Sequence, residues 1–147
     1  MNDLVSVDIL LVEDNPRDAE LTIHAFKKRN LANRLFHVQD GAEALDFLFG
    51  QGKYESVQFT QSPKVVLLDL KLPKVDGLEV LKVMRADDRT RTIPVVVITS
   101  SSEDPDVKTA YELGANSYVV KPVDFEGFLN VMNSLSFYWL IVNKPLY

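Results

Sequence analysis

The sequence predicts an α/β fold in which a doubly wound, five-stranded parallel sheet is covered by five helices. Three observations carry this. Short, nearly all-apolar runs recur at residues 7–12, 64–68 and 94–99, of the kind that a strand buried on both faces requires. Longer segments with apolar residues at helical spacing separate them, and parallel strands need right-handed helical crossovers of this sort. Charged and hydroxyl residues close the apolar runs, at the carboxyl ends of strands where open parallel sheets place their ligand sites.

Residues 7–12 are apolar apart from Asp8 and end in Glu13 and Asp14. Asn15 offers a helix cap and Pro16 suits the first helical turn. Ala19, Ile23 and Phe26 then extend a helix to about Asn30. A short strand is expected over 34–38, and Asp40-Gly41 opens a second helix with Leu45, Leu48 and Phe49 on one face, stopped by Gly50-Gln51-Gly52. From there to Pro63 the chain is polar except for Tyr54, Val57 and Phe59, and it reads as a long loop or helix extension that elaborates the domain.

The run 64–68 is bounded by Pro63 and closed by Asp69. Pro73 and Asp76-Gly77 mark a tight connection into a helix carrying Val80, Leu81 and Met84, so Asp69 is expected at the rim of a crevice rather than in the core. A charged stretch over 85–91 precedes the strand 94–99, which ends in hydroxyls: Thr99, Ser100, Ser101, Ser102. Asp104-Pro105 starts a fourth helix with Val107, Ala110 and Leu113 inward and Gly114 as its stop. Residues 116–120 form the last strand, followed by Lys121-Pro122. The fifth helix opens at Asp124, carries Phe128, Val131, Met132 and Leu135, and runs into Phe137-Tyr138-Trp139.

At 147 residues the chain is expected to form one domain, with a core over about 7–136 and an aromatic tail over about 137–147. A net charge of -5 with no basic patch argues against a nucleic-acid partner, whose phosphates would reward a basic face. The absence of cysteine excludes a disulfide framework and a thiolate metal site. The apolar stretch 137–142 is far short of the roughly 20 residues of a membrane-spanning helix, and the amino-terminal residues carry no secretory pattern. These features together imply a cytoplasmic protein without membrane contact.

Glu13 and Asp14 close the first strand, Asp69 the third, Thr99 and Ser100 the fourth, and Lys121 the fifth. Carboxylates gathered at one rim repel one another unless they share a cation, and hard oxygen donors suit Mg²⁺. A carboxylate can also act as a nucleophile toward phosphorus, with ammonium and hydroxyl donors meeting the charge of the transferred group. Asp69 is the candidate nucleophile, and Lys121 and Thr99 would supply those donors. Thr99 has a plainer reading as a hydroxyl that satisfies a loop amide. His24 and His37 stand without evident partners and read as structural or solvated.

With the pair Glu13-Asp14, the run Leu67-Leu68-Asp69-Leu70-Lys71-Leu72-Pro73 followed by Asp76-Gly77, the Thr99-Ser100 step, Tyr118, and Lys121-Pro122, the chain resembles the receiver domains of two-component response regulators. The resemblance implies a flavodoxin-like sheet of order 2-1-3-4-5. It implies that Asp69 accepts a phosphoryl group from a histidine kinase. Mg²⁺ would be held by Asp14, Asp69 and the backbone carbonyl of Lys71, with Glu13 acting mainly through water. Lys121, Thr99 and Tyr118 would be the switch residues. The loop near Tyr54 and the aromatic tail further resemble the small regulators that serve phytochrome kinases.

Lys71 stands two residues past Asp69, where a charged ammonium cannot activate water, so a fairly long-lived aspartyl phosphate is expected. The last helix and tail carry apolar residues over more than one face, among them Phe125, Phe128, Leu129, Met132, Tyr138, Trp139 and Ile141. A homodimer through this helix and tail is expected; the competing arrangement folds the tail back on its own domain. The function expected is a phosphorylated switch that acts through protein contacts and is not an enzyme. The alternative is a small phosphohydrolase with an aspartyl-phosphate intermediate, and a receiver-like scaffold that is never phosphorylated is disfavoured by the complete set of pocket residues.

Overall fold

The computed structural model describes residues 3–5, 7–28, 34–59, 62–122 and 124–144, with 3–5, 57–59 and 104 described through their backbone. The expected end of the first helix near Asn30 and the last three residues of the tail lie outside these. In chain order the elements are β1 (Asp3–Val5), β2 (Ile9–Val12), α1 (Pro16–Lys28), β3 (Leu35–Val38) and α2 (Gly41–Phe49). Then come β4 (Val57–Phe59), β5 (Val65–Leu68), α3 (Gly77–Ala86), β6 (Val95–Thr99), α4 (Asp104–Glu112), β7 (Ser117–Val120) and α5 (Phe125–Phe137).

Five of the strands form one parallel sheet in the order β3-β2-β5-β6-β7, the expected 2-1-3-4-5 winding. Its register aligns the carboxyl ends: Val12 lies opposite Val38 and Leu68, and Thr99 opposite Val120. The period-two alternation of strand side chains divides the core into two layers. Leu10, Val12, Val66, Leu68, Val95 and Val97 face one side with Val80, Leu81 and Met84 of α3 and Phe47 of α2. Ile9, Leu11, Val65, Leu67, Val96 and Ile98 face the other with Phe26 of α1 and Phe128 and Met132 of α5. Strands buried on both faces need this continuous apolar composition, which is why they were legible as runs.

Four of the five helix starts follow side-chain caps, while α4 opens on a proline in its first turn without one. Asn15 Oδ1 accepts from the N–H groups of Arg17 and Asp18. Asp40, Asp76 and Asp124 each accept from the N–H three residues on, at the starts of α2, α3 and α5. Gly50, at φ 64°, takes the left-handed conformation that ends α2. At the amino ends of β6 and β7, the Arg85 guanidinium donates to the carbonyls of Gly114, Arg91 and Ile93 and to Asn116 Oδ1.

Two expectations need correction. In place of the loop or helix extension expected up to Pro63, a 3₁₀ turn at Gly52–Tyr54 leads into β4, which pairs in parallel with β1 as a separate two-stranded sheet. Tyr54 is buried there, its ring edge-on to Phe36 and Phe47 and its hydroxyl bonded to Glu43. The buried face of α2 is Gly41, Ala44 and Phe47, while Leu45 and Leu48 pack only partly against the core. Phe49 lies under the Arg89 guanidinium, 4.7 Å from its ring centre. The aromatic ring cluster selects Phe47 as the inward side chain.

Candidate functional site

Each strand end delivers its predicted group to one rim. Glu13 follows β2 and is buried, with the exposed Asp14 beside it; Asp69 follows β5 and is 7% exposed. Carboxylate oxygens of Glu13, Asp14 and Asp69 lie within 4.8 Å of one another. Lys121, just past β7, brings its ammonium into this acid group, 2.7 Å from Glu13 Oε1 and 2.8 Å from Asp69 Oδ2. Its backbone N–H is fixed on the Thr99 carbonyl at 2.7 Å, and this ties the ends of β6 and β7 together.

The loop after Asp69 is shaped by close backbone approach. A Cβ on Gly77 would meet the Asp69 carbonyl oxygen at 2.2 Å, so only glycine lets α3 start against the strand end. Asp76 caps that helix, which is the physical content of the Asp-Gly pair. The Lys71 N–H donates to Asp69 Oδ1 at 3.2 Å, and the Lys71 side chain is exposed.

Thr99 is fully buried, and its hydroxyl accepts a long bond, 3.4 Å, from the Ser101 N–H. The plainer reading of Thr99 as a loop-amide partner is thus present in weak form. Tyr118, in β7, donates its hydroxyl to the Ser101 carbonyl at 2.8 Å, so the tyrosine is coupled to the loop that follows Thr99. The Ser101 hydroxyl in turn donates to Asp106 Oδ2 at the start of α4.

The electrostatics follow from burial. Desolvation pushes the Glu13 carboxyl up to about 7; the Lys121 hydrogen bond opposes this, and the Asp69 charge adds to it. Burial alone would lower the Lys121 pKa, but its hydrogen bonds to Asp69, Glu13 and Asp18 outweigh that and hold it well above the ordinary lysine range. The donor set is three hard carboxylates around one point, which fits a divalent cation such as Mg²⁺. Of these acids, Glu13 already has both oxygens engaged, Oε1 by Lys121 and Oε2 by the Asn15 N–H at 3.1 Å. Asp69 is likewise engaged, Oδ2 by Lys121 and Oδ1 by the Lys71 N–H, which leaves the exposed Asp14 best placed to face a metal directly.

Two neighbours of the site were not found from the sequence. Asp18 Oδ2 lies 2.9 Å from the Lys121 ammonium. An acid in the first turn of a helix ordinarily reads as a complement to the helix dipole, and nothing local points to a lysine 103 residues on. His37, read as lacking a partner, instead makes a 2.7 Å hydrogen bond from Nε2 to the Glu13 carbonyl. A carbonyl only accepts, so Nε2 carries the proton. The register sets Leu11 of β2 opposite His37, which brings its ring within reach of the residue that follows β2. His24 is exposed, as expected.

A five-stranded parallel sheet in this winding, with acids, a lysine and a hydroxyl converging on its carboxyl rim, defines a receiver-type α/β domain. Residues 9–133 match the response regulator receiver domain family, and the chain belongs to it. It is 43% identical over 137 residues to a probable methanogenesis regulatory protein, FilR2, of Methanothrix harundinacea, covering 92% of this chain and 85% of that one. It is 37% identical over 132 residues to the response regulator Rcp1 of Synechocystis, covering 90% and 88% of the two chains. The Mn²⁺-bound structure of Rcp1 superposes with a TM-score of 0.88 at 34% identity over 99% of both chains. The phosphorylated cyanobacterial phytochrome response regulator RcpA superposes equally well, with a TM-score of 0.88 and 31% identity over the whole of both chains.

Proposed function

We propose that this chain is a phosphoacceptor switch of two-component signalling, in which Asp69 takes a phosphoryl group from a phosphohistidine of a sensor kinase. The observation that carries this reading is the Lys121 ammonium 2.8 Å from Asp69 Oδ2 within a group of acids at the sheet's carboxyl rim. An Asp69 oxygen forms the new P–O bond, the P–N bond to the donor imidazole breaks, and the departing nitrogen keeps the electron pair. Asp14, Asp69 and the Lys71 carbonyl, with Glu13 through water, would hold Mg²⁺, which when bound neutralises the phosphoryl oxygens as the carboxylate approaches. Lys121 meets one phosphoryl oxygen and Thr99 another. Tyr118, already bonded to the loop after Thr99, carries the change to the surface around α4, β7 and α5.

The similarity to Rcp1 and RcpA supports a phytochrome-type histidine kinase as the donor. Output runs through protein contacts rather than nucleic acid, in the cytoplasm, with residues 1–147 acting as one unit. The reading includes a homodimer through α5 and the tail. The chain continues past α5 as a π-helical segment, Tyr138–Val142, in which Trp139 and Leu140 pack back on the domain's second core layer. Ile141 and Val142 remain 59% and 54% exposed on its outer side, and this supports a second copy covering them. Among the described residues no helix is long and apolar enough to cross a membrane.

A phosphohydrolase is less well supported. The two residues after Asp69 are the buried Leu70 and the lysine Lys71, and neither supplies a carboxyl for a leaving group. The test is phosphotransfer from candidate histidine kinases, with Asp69→Asn and omission of Mg²⁺ in parallel. Labelling is expected in the wild type with Mg²⁺ only; labelling that survives both changes sinks the reading, and multiple turnover of a phosphomonoester favours the enzyme.

A further inference from the structure

An ammonium has three N–H donors, and those of Lys121 are all taken. Glu13 Oε1 lies at 2.7 Å, Asp69 Oδ2 at 2.8 Å and Asp18 Oδ2 at 2.9 Å. A phosphoryl oxygen that is to meet this ammonium must take over a donor already in use. Two of the three acids belong to the metal-ligand group among the described residues, and the chemistry engages them elsewhere: Asp69 becomes the acyl phosphate and Glu13 would face a cation's water. Asp18 stands outside that group. The start of α1 holds it in place, with its N–H on Asn15 Oδ1 at 3.1 Å and its carboxylate aimed across to Lys121.

Asp18 is not needed to aim the lysine. The Lys121 backbone is fixed on Thr99, its side chain is only 10% exposed, and Glu13 and Asp69 already orient the ammonium. What Asp18 adds is a negative charge that competes with a dianionic group for the same cation and repels it on approach.

We propose that Asp18 is a restraining residue for Lys121, a carboxylate that holds one of its N–H donors and competes with the phosphoryl group for the ammonium, so that it limits how fast Asp69 is phosphorylated. This rests on the phosphoacceptor role of Asp69. Asp18 then acts through Lys121, as a competitor for its ammonium, rather than by touching the phosphoryl group itself.

The test is the rate of phosphorylation by acetyl phosphate at saturating Mg²⁺, followed by intact-mass spectrometry. An Asp69 oxygen bonds to phosphorus, the bond from phosphorus to the acyl oxygen breaks, and acetate leaves with the electron pair. Asp18→Asn and Asp18→Ser are both expected to accelerate labelling about three- to ten-fold, the range for one partly exposed charge beside a site. Glu20→Gln, which removes an exposed charge from the same helix without touching Lys121, is expected to match the wild type. A merely structural role for Asp18 predicts slower labelling, so an unchanged or slower rate in the folded variants overturns the proposal. So does equal acceleration by Glu20→Gln. Failure of the wild type to be labelled at Asp69 defeats the underlying phosphoacceptor reading instead, and the two failures are distinguishable.

Discussion

Lys121 is a counter-ion before it is anything else. Three acids surround it with little solvent, and truncating it leaves them facing one another across a poorly hydrated rim. Lys121→Ala is expected to lower the unfolding free energy by roughly 2–4 kcal/mol, by analogy with other broken buried pairs, and to lose less when Mg²⁺ is present. Denaturant unfolding with and without Mg²⁺ checks this, and an identical loss in both conditions contradicts it. Glu13 gives the matching pH dependence. Burial raises its folded pKa from 4.5 to about 7, so the folded state holds its proton more tightly than the unfolded chain does. The resulting stability is fully present below pH 4.5 and is lost as the pH rises through 7 in metal-free protein. Mg²⁺ binding should strengthen over the same window as Glu13 ionises; calorimetry in buffers of different ionisation enthalpy would detect the released proton, and pH-independent binding would contradict the assignment. Lys71 is exposed and two residues past Asp69. Lys71→Asn or Lys71→Glu is expected to shorten the aspartyl phosphate's lifetime severalfold by allowing a group there to orient water. An unchanged dephosphorylation rate would remove that role from this position.

At the scale of elements, the connections beside the site leave little room. A Cβ on Gly41, at the start of α2, would meet the Val75 carbonyl oxygen at 1.7 Å, and the same loop holds Lys74 at φ 67°. Gly41→Ala is expected to destabilise the fold by about 1–3 kcal/mol and to disturb the loop after Asp69, a pair of effects that unfolding curves and Asp69 labelling report separately. The strands and helices were readable because doubly buried strands need unbroken apolar runs and because Asn15, Asp40, Asp76 and Asp124 cap the helices. The β1–β4 pair was not readable: each strand is three residues long, and the partners lie more than fifty positions apart in a mostly polar setting. The inward face of α2 was misjudged because Phe47 is chosen by rings from other elements, Phe36 and Tyr54, which no helical spacing encodes. At the rim, residues that end strands were legible, since the sheet aligns strand ends. Asp18 and His37 reach the rim from a helix and a neighbouring strand, and only the assembled fold brings them there.

For the whole molecule, the two sides of the tail differ in what they meet. Trp139 and Leu140 cover the domain's own core, while Ile141 and Val142 face outward. A chain truncated after Leu135 is therefore expected to be less stable and also to fall from dimer to monomer mass in light scattering. An unchanged oligomer mass would reject the dimer surface. At the opposite end of the sheet from the acids, Arg85 gathers the carbonyls of Arg91, Ile93 and Gly114 and the side chain of Asn116, which itself accepts the Val95 N–H. This clamp fixes the bases of β6 and β7 together. β6 and β7 are thus tied at both ends, by Arg85 at the base and by the Lys121 N–H on the Thr99 carbonyl at the rim, so a rearrangement at Asp69 is expected to move the rim ends of the two strands as one, together with the helices α4 and α5 that start beyond them.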